Sequence, residues 1–412
     1  MKKDAVDVLV IGAGPSGTVA AAALQQRGIS CRIVEKQQFP RFVIGESLLP
    51  RCMEHFEEVG LLEVLKVQNY QIKKGARFIR DGKECWFDFS EKYSKGWNWT
   101  WQVPRDHFDK VLADAVEERG VKISYNASVT DVKMEGTNST TTIQYLDGSS
   151  EEIEAKYIID ASGYGRVLPR LFGLDKPSGM PPRKAVFGHF VDTKRPEGAN
   201  GEKITFVIHR KDIWVWIIPF SNGISSVGVV GNPEFFMEYE TENYNEFLQT
   251  MIADVPEIQD RFKGATVSLD AKVMQAYAVS AKQLYGPGYV ITGNSSEFID
   301  PVFSSGVTFA TESGLLGAKL VTKELEGKKV DWAKEYVEHM KQGVETFRTY
   351  VNSWYDGTLQ DIFFYSHADA NQDIKRKICS VLAGYVWDET NPFVTEKRDR
   401  ALNSISKLIQ VS

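Results

Sequence analysis

Val6-Asp-Val-Leu-Val-Ile11 is a short β-branched run. It meets three glycines, Gly12-Ala-Gly14-Pro-Ser16-Gly17, and an Ala- and Leu-rich stretch from Thr18 to Arg27 follows. A buried strand turning through that spacing into a helix leaves few possible folds, because each glycine meets a different steric demand. Gly12 permits the tight turn, Gly14 lets the backbone approach a pyrophosphate, and Gly17 lets helix and strand pack closely. The first helical amides, from Ser16 onward, face the phosphates with the helix dipole behind them. The next strand, Ser30 to Val34, ends in Glu35. A carboxylate about twenty residues beyond the first glycine suits ribose hydroxyls and repels a 2′-phosphate. The pattern predicts an adenine dinucleotide without choosing between NAD and FAD.

Composition narrows the class. The chain has 412 residues, 42% hydrophobic and 25% charged, which fits two or three globular units and excludes disordered and collagenous chains. A net charge of -6 with no Lys/Arg block gives no electrostatic footprint for a nucleic-acid partner. No apolar run reaches membrane-spanning length, and Met1-Lys-Lys-Asp4 runs straight into a strand without a leader's apolar region. Cys31, Cys52, Cys85 and Cys379 form no close pair, so reduced structural thiols and a cytoplasmic location are expected. The six histidines show no metal-ligand spacing.

Patterning along the chain predicts a helix over 50–65, a hairpin over 73–89 turning at Asp81-Gly82, and a helix over 105–119. Strands follow to Ile159, then a β-rich stretch from 183 to 279 interrupted by a helix over 244–253. A buried strand returns at Tyr289–Thr292, a long helix spans 306–327, and an aromatic-rich helical region follows. The expected fold is α/β. A discontinuous Rossmann-like cofactor domain (1–70, 101–180 and 286–330) encloses a mixed β-sheet substrate domain (71–100 and 181–285), and a helical C-terminal tail follows (331–412).

Five segments together resemble the FAD-dependent monooxygenases of the hydroxybenzoate-hydroxylase fold, most of all their flavin-dependent halogenases, with geranylgeranyl reductases as relations. They are the glycine turn with Glu35; Pro40-Arg41-Phe-Val-Ile-Gly45-Glu46-Ser47, similar to the halogenase region lying along the flavin; and Asp160-Ala-Ser-Gly163, similar to the second dinucleotide motif. The other two are Trp214-Val-Trp216-Ile-Ile-Pro219, which fits the halogenase WxWxIP pattern, and Gly293-Asn294 through Asp300-Pro-Val-Phe-Ser304-Ser305-Gly306-Val307, similar to the late flavin motif. The resemblance covers about residues 5–325 and implies FAD as cofactor. Asn294 departs from the family's usual Asp; it keeps an acceptor for the ribityl chain and loses the charge.

On a strand, Trp214 and Trp216 point to one face and can wall a cavity off from the flavin ring; the plain alternative is an aromatic core strand. By resemblance, Lys73 in Lys-Lys-Gly is the essential halogenase lysine, its pKa lowered by burial, with Lys74 facing the other way; the alternative is a solvated hairpin. Ser304, Ser305 and Gly306 form a candidate halide nest before a helix, unless either serine is an N-cap. Arg41 and Arg105 are candidate pyrophosphate or ribityl partners. The expected activity is halogenation of an electron-rich phenol or pyrrole, free or tethered to a carrier protein. A separate flavin reductase would supply reduced FAD, since no second glycine motif is present. Alternatives are reduction of isoprenoid double bonds, aromatic hydroxylation, or non-catalytic electron transfer.

Overall fold

The computed structural model describes residues 2–239, 241, 243–365 and 372–411. Its first sheet has the order Tyr285–Gly286, Tyr289–Ile291, Ser150–Asp160, Lys2–Ile11, Cys31–Val34, Lys122–Ser124. The five strands from Tyr289–Ile291 to Lys122–Ser124 run parallel, Lys2–Ile11 beside both Ser150–Asp160 and Cys31–Val34. Two antiparallel strands, Ala127–Glu135 and Asn138–Tyr145, extend it. The helix Pro15–Gln25 buries nearly every residue, which its run of four alanines allows at short helix–sheet distance. It packs on the long helix Gly306–Leu325.

A second, seven-stranded sheet runs Val267–Gln275, Lys184–Val191, Ile224–Gly231, Ile213–Pro219, Ile204–Arg210, Gly75–Arg80, Lys83–Asp88. Strand Ile213–Pro219 is buried on both faces. One face joins the aromatic core that the C-terminal helices cover, and the other packs under Tyr244–Asp254 and Pro256–Phe262.

Beyond the added helices Ala199–Glu202, Pro233–Met237 and Pro256–Phe262 within 183–279, the structure departs from the sequence reading at two places nearer the site. The expected hairpin over 73–89 is shorter: Gln71–Lys73 leaves it and pairs with Thr100–Gln102, while Gly75–Arg80 and Lys83–Asp88 turn at Asp81-Gly82. The helix expected over 50–65 divides into Arg51–Glu58 and Leu62–Lys66 around Gly60, whose φ of +69° a helix cannot hold. The tail is helical as expected, with Ala333–Glu338 a π-helical turn ahead of His339–Tyr355. A buried carboxylate fastens that tail: Glu312 takes His55 at 2.6 Å, His339 at 2.7 Å and Arg51 at 3.1 Å. Among the described residues no helix is long and apolar enough to cross a membrane.

Candidate functional site

The parallel strands end at Ile11, Val34, Asp160 and Ile291, and a cavity of about 440 Å³ opens at those carboxyl ends. This is the crevice where open α/β sheets bind ligands. Its lining gathers Gly12, Gly14, Ser16, Glu35, Arg41, Glu46, Ser47, Arg105, Gly163, Gly293, Asn294, Ser304, Gly306 and Val307. Segments almost 300 residues apart in sequence therefore meet on one surface.

The glycines act as their spacing requires. Gly12 has φ +100°, and a Cβ there would lie 2.5 Å from Ala161 O. A Cβ on Gly17 would lie 1.9 Å from Gly12 O, so Gly17 serves helix–strand packing and lies outside the lining. Around Gly14 the nearest atom to an added Cβ is an Arg41 nitrogen at 3.7 Å. The turn is therefore roofed by a guanidinium and open between. The helix start bears no side-chain cap and no acidic residue, leaving its first amides to an incoming anion. Glu35 is anchored by the amides of Ala13 (2.9 Å) and Gln37 (3.0 Å). Ser16 ties the turn to the returning strand through Thr292 at 2.8 Å.

Arg105 lines the cavity and is also engaged by the protein. It forms a two-pronged pair with Asp109 (2.8 and 3.0 Å) and holds the carbonyls of Ile44 and Gly45. Arg41 shares that carboxylate at 3.2 Å, so two guanidiniums meet one Asp109, and Arg105 shapes the Gly45–Ser47 wall. Along that wall, Glu46 Oε1 meets His189 Nε2 at 2.7 Å, while Glu46 Oε2 and Ser47 Oγ are buried with no hydrogen-bond partner among the described residues. Buried polar atoms seldom stay unpaired, so the wall is built for a polar ligand. A lining that joins an amide turn to these orphaned atoms fits FAD.

The same cavity is lined by Trp214, Trp216, Ile218, Ile204 and Phe206. The two indoles do share one face, their ring centres 5.9 Å apart. Trp216 lies flat over Gly228, where a Cβ would come within 2.2 Å of the ring, and its Nε1 donates to Ser226 Oγ at 3.0 Å.

The loop before Gly306–Leu325 holds Ser304 at φ +55° and Ser305 in the right-handed region, and Ser305 makes no side-chain capping bond. A left-handed residue followed by a right-handed one turns successive amides inward as a nest. Ser304, Gly306 and Val307 line the cavity, whereas Ser305 is buried behind it. Asp300 is also behind the wall, 2% exposed, accepting from Tyr355 (3.0 Å), Tyr277 (3.2 Å) and the Val302 amide (2.9 Å).

Lys73 is 2% exposed and Lys74 is exposed, in line with the expected alternation. Lys73 Nζ donates to Leu48 O at 2.8 Å and lies 5.6 Å from the Phe89 ring centre. Burial lowers its pKa from 10.5 to about 7. It does not line the cavity; it sits directly behind the Glu46–Ser47 segment that does.

A family model described as an FAD binding domain matches residues 5–284. The chain belongs to that family. It is a flavoprotein oxidoreductase of the FAD-dependent monooxygenase type, and its cofactor is FAD. A chlorinase of pyrrole-2-carbonyl peptidyl-carrier protein from Pseudomonas fluorescens is 27% identical, over 85% of this chain and 82% of that one. The corresponding brominase from Pseudoalteromonas luteoviolacea is 26% identical, over 93% and 92%. Among solved structures, a flavoprotein/dehydrogenase from Cytophaga hutchinsonii superposes with TM-score 0.96 at 54% identity over 99% of both chains. The flavin-dependent brominase Bmp2 gives TM-score 0.82 at 25% identity, over 99% of this chain and 100% of that one. The likeness to these structures therefore includes the helical tail.

Several residues of this flavoprotein's site had no signal in the sequence. His189 reaches Glu46 from the second sheet, and Tyr355 reaches Trp214 from the tail at 3.1 Å. Gly228, an isolated glycine within a strand, was a legible sign of close approach by a bulky group.

Proposed function

We propose that this flavoprotein is a halogenase that uses reduced FAD, dioxygen and halide to halogenate an electron-rich ring of the phenol or pyrrole type. The observation that carries it is the pairing of two indoles on one wall with the Ser304–Gly306 nest on the same cavity. Such a cavity admits a small anion and denies a ring-sized substrate contact with the flavin. When bound and reduced, FAD would supply the two-electron oxidising equivalent from dioxygen that turns halide into electrophilic halogen.

The chain's own residues divide the remaining work. Gly12, Gly14 and the amides from Ser16 onward hold the pyrophosphate; Glu35 holds the adenosine ribose; Asn294 and Ser47 offer groups to the ribityl chain. The Ser304–Gly306 amides hold halide, and Trp214 and Trp216 exclude water and substrate. Lys73 carries or directs the electrophile to the ring. Its pKa of about 7 gives it an uncharged fraction at neutral pH, which either role requires. The parallel sheet with 286–330 is the cofactor domain, and the second sheet helps form the substrate domain. A separate reductase delivers reduced flavin. Because two relatives are named for pyrrole on a carrier protein, that tethered ring is the first substrate to try, with free phenols beside it.

The test is incubation with FAD, a flavin reductase, NADH, dioxygen and bromide, followed by mass spectrometry of a phenol panel and a pyrrolyl carrier protein. A brominated product that disappears in Lys73→Met, while FAD binding persists, supports the proposal. Product that survives Lys73→Met removes the lysine's role, and no product from any ring removes the halogenase reading. Lys73 is held on Leu48 O, outside the lining, which weighs against its role alone. Halide-independent saturation of a prenyl substrate would replace the halogenase reading with reduction of isoprenoid double bonds.

A further inference from the structure

The indole wall of the cavity is held from behind. Trp214 Nε1 donates to the Tyr355 hydroxyl at 3.1 Å, and that hydroxyl donates to Asp300 Oδ2 at 3.0 Å. Tyr277 donates to the same carboxylate oxygen at 3.2 Å, and Asp300 Oδ1 accepts the Val302 amide at 2.9 Å. The chain has a direction. A phenol has one proton, so by giving it to Asp300, Tyr355 leaves its oxygen free to accept from the indole. Arg183 lies 3.8 Å from the centre of the Tyr355 ring and is itself paired with Asp212 at 3.2 Å, which fixes the ring plane. One carboxylate thus joins the loop that leads into Ser304–Gly306, the tail helix His339–Tyr355 and the indole wall.

We infer that Tyr355 and Asp300 are positioning residues of this cavity: together they fix the indole of Trp214 against the halide loop, so the C-terminal region sets the shape of the chamber. The inference rests on the proposed function only in calling the cavity a reaction chamber; the hydrogen-bond chain exists or fails without any turnover. It also makes the wall sensitive to protons. A proton on Asp300 Oδ2 displaces the one Tyr355 offers, the hydroxyl turns, and the bond it accepts from the indole is altered. The titratable and charged groups facing Asp300 are Tyr164, Tyr277, Tyr355 and Arg183. Burial makes the three phenols keep their protons well above the ordinary range. Asp300 is then the one group of this set that titrates near neutrality, burial raising it to about 6.

The experiment follows indole N–H resonances in protein labelled with ¹⁵N-tryptophan, without flavin. Nine tryptophans give nine candidate peaks, and Trp214→Phe identifies the relevant one. The Trp214 peak should move, and its exchange with solvent quicken at least tenfold, in Tyr355→Phe. Asp300→Asn should also move it, whereas Tyr277→Phe, which shares the carboxylate without touching the indole, should leave it within a line width. In the unaltered protein the peak should titrate with a midpoint near pH 6, and in Asp300→Asn it should not. A Trp214 peak indifferent to Tyr355→Phe, or flat between pH 4.5 and 7.5, overturns the inference. If Tyr355→Phe fails to fold, the titration of the unaltered protein decides alone. With FAD and reductase present, Tyr355→Phe should keep FAD affinity within about threefold and lower product formed per dioxygen consumed. Loss of halogenation in every form with the peak behaving as described would count against the proposed function and leave the chain of bonds standing.

Discussion

Replacing Lys73 with methionine should stabilise the protein while removing its proposed chemistry. The side chain is 2% exposed, and its ammonium has one protein hydrogen bond, to Leu48 O. Desolvation moves its pKa from 10.5 to about 7, so holding the charge inside disfavours folding by about 5 kcal/mol at pH 6, at ~1.36 kcal/mol per tenfold. Loss of the Leu48 bond returns about 1 kcal/mol of that, and methionine refills most of the volume. Lys73→Met should therefore gain about 2–4 kcal/mol at pH 6. The sign with pH is fixed by linkage. Between about 7 and 10.5 the unfolded chain binds a proton that the folded one does not, so stability rises with pH across that window, by up to ~1.4 kcal/mol per pH step. Urea unfolding at pH 6, 7.5 and 9 for both proteins isolates the effect, because every other group cancels in the difference. The variant's advantage should shrink as pH rises. A variant less stable at pH 6, or an advantage independent of pH, would refute the reasoning that this lysine is a charge held at a cost.

Three further changes test other parts of the site. Gly12→Ala puts a methyl 2.5 Å from Ala161 O at φ +100°, so it should abolish FAD binding and lower stability by about 2–4 kcal/mol, read by flavin retention on gel filtration and by urea unfolding. Glu35→Gln keeps an acceptor for one anchoring amide and weakens the ribose contact, so FAD affinity should fall about tenfold, ~1.4 kcal/mol, by isothermal titration. Glu312→Gln removes the charge that Arg51, His55 and His339 share and should cost about 3–5 kcal/mol. Those partners hold the Glu312 carboxyl well below 4.5. Its contribution is therefore present above about pH 4.5 and lost as pH falls through the lower folded value, and the variant should show a flatter acid limb in thermal melts.

Local sequence carried what is local in the fold. The glycine turn was legible because its spacing is local to one strand–turn–helix, where Gly17 meets Gly12 and Val10, although Gly12 also meets Ala161 and Gly14 faces Arg41. The shared face of Trp214 and Trp216 followed from strand alternation alone. Lys73 was harder. Alternation made it the first residue of a hairpin, but its strand pairs with Thr100–Gln102, and no spacing rule links those segments. Gly75 marks the change of partner, since a Cβ there would lie 1.9 Å from Phe87 O. Arg105 carried a signal that was passed over: Asp109 stands four residues on, one helical turn away, and claims the guanidinium. The serines before the long helix fit a capping pattern, yet the positive φ of Ser304 turns the chain into a nest instead. Tyr355 was beyond sequence reading, because its partners Trp214 and Asp300 lie 141 and 55 residues away.

Binding of flavins to the cofactor-free protein tests the central claim most directly, namely that an FAD lies with its adenosine at Gly12–Glu35 and its ring between the Trp214–Trp216 wall and the Ser304–Gly306 loop. The account predicts one FAD per chain at micromolar affinity or better, flavin fluorescence quenched by the adjoining indoles and partly recovered in Trp214→Phe, and FMN bound at least a hundredfold more weakly because it lacks the adenosine half. FMN binding as tightly as FAD, or flavin fluorescence unchanged on binding, would contradict it.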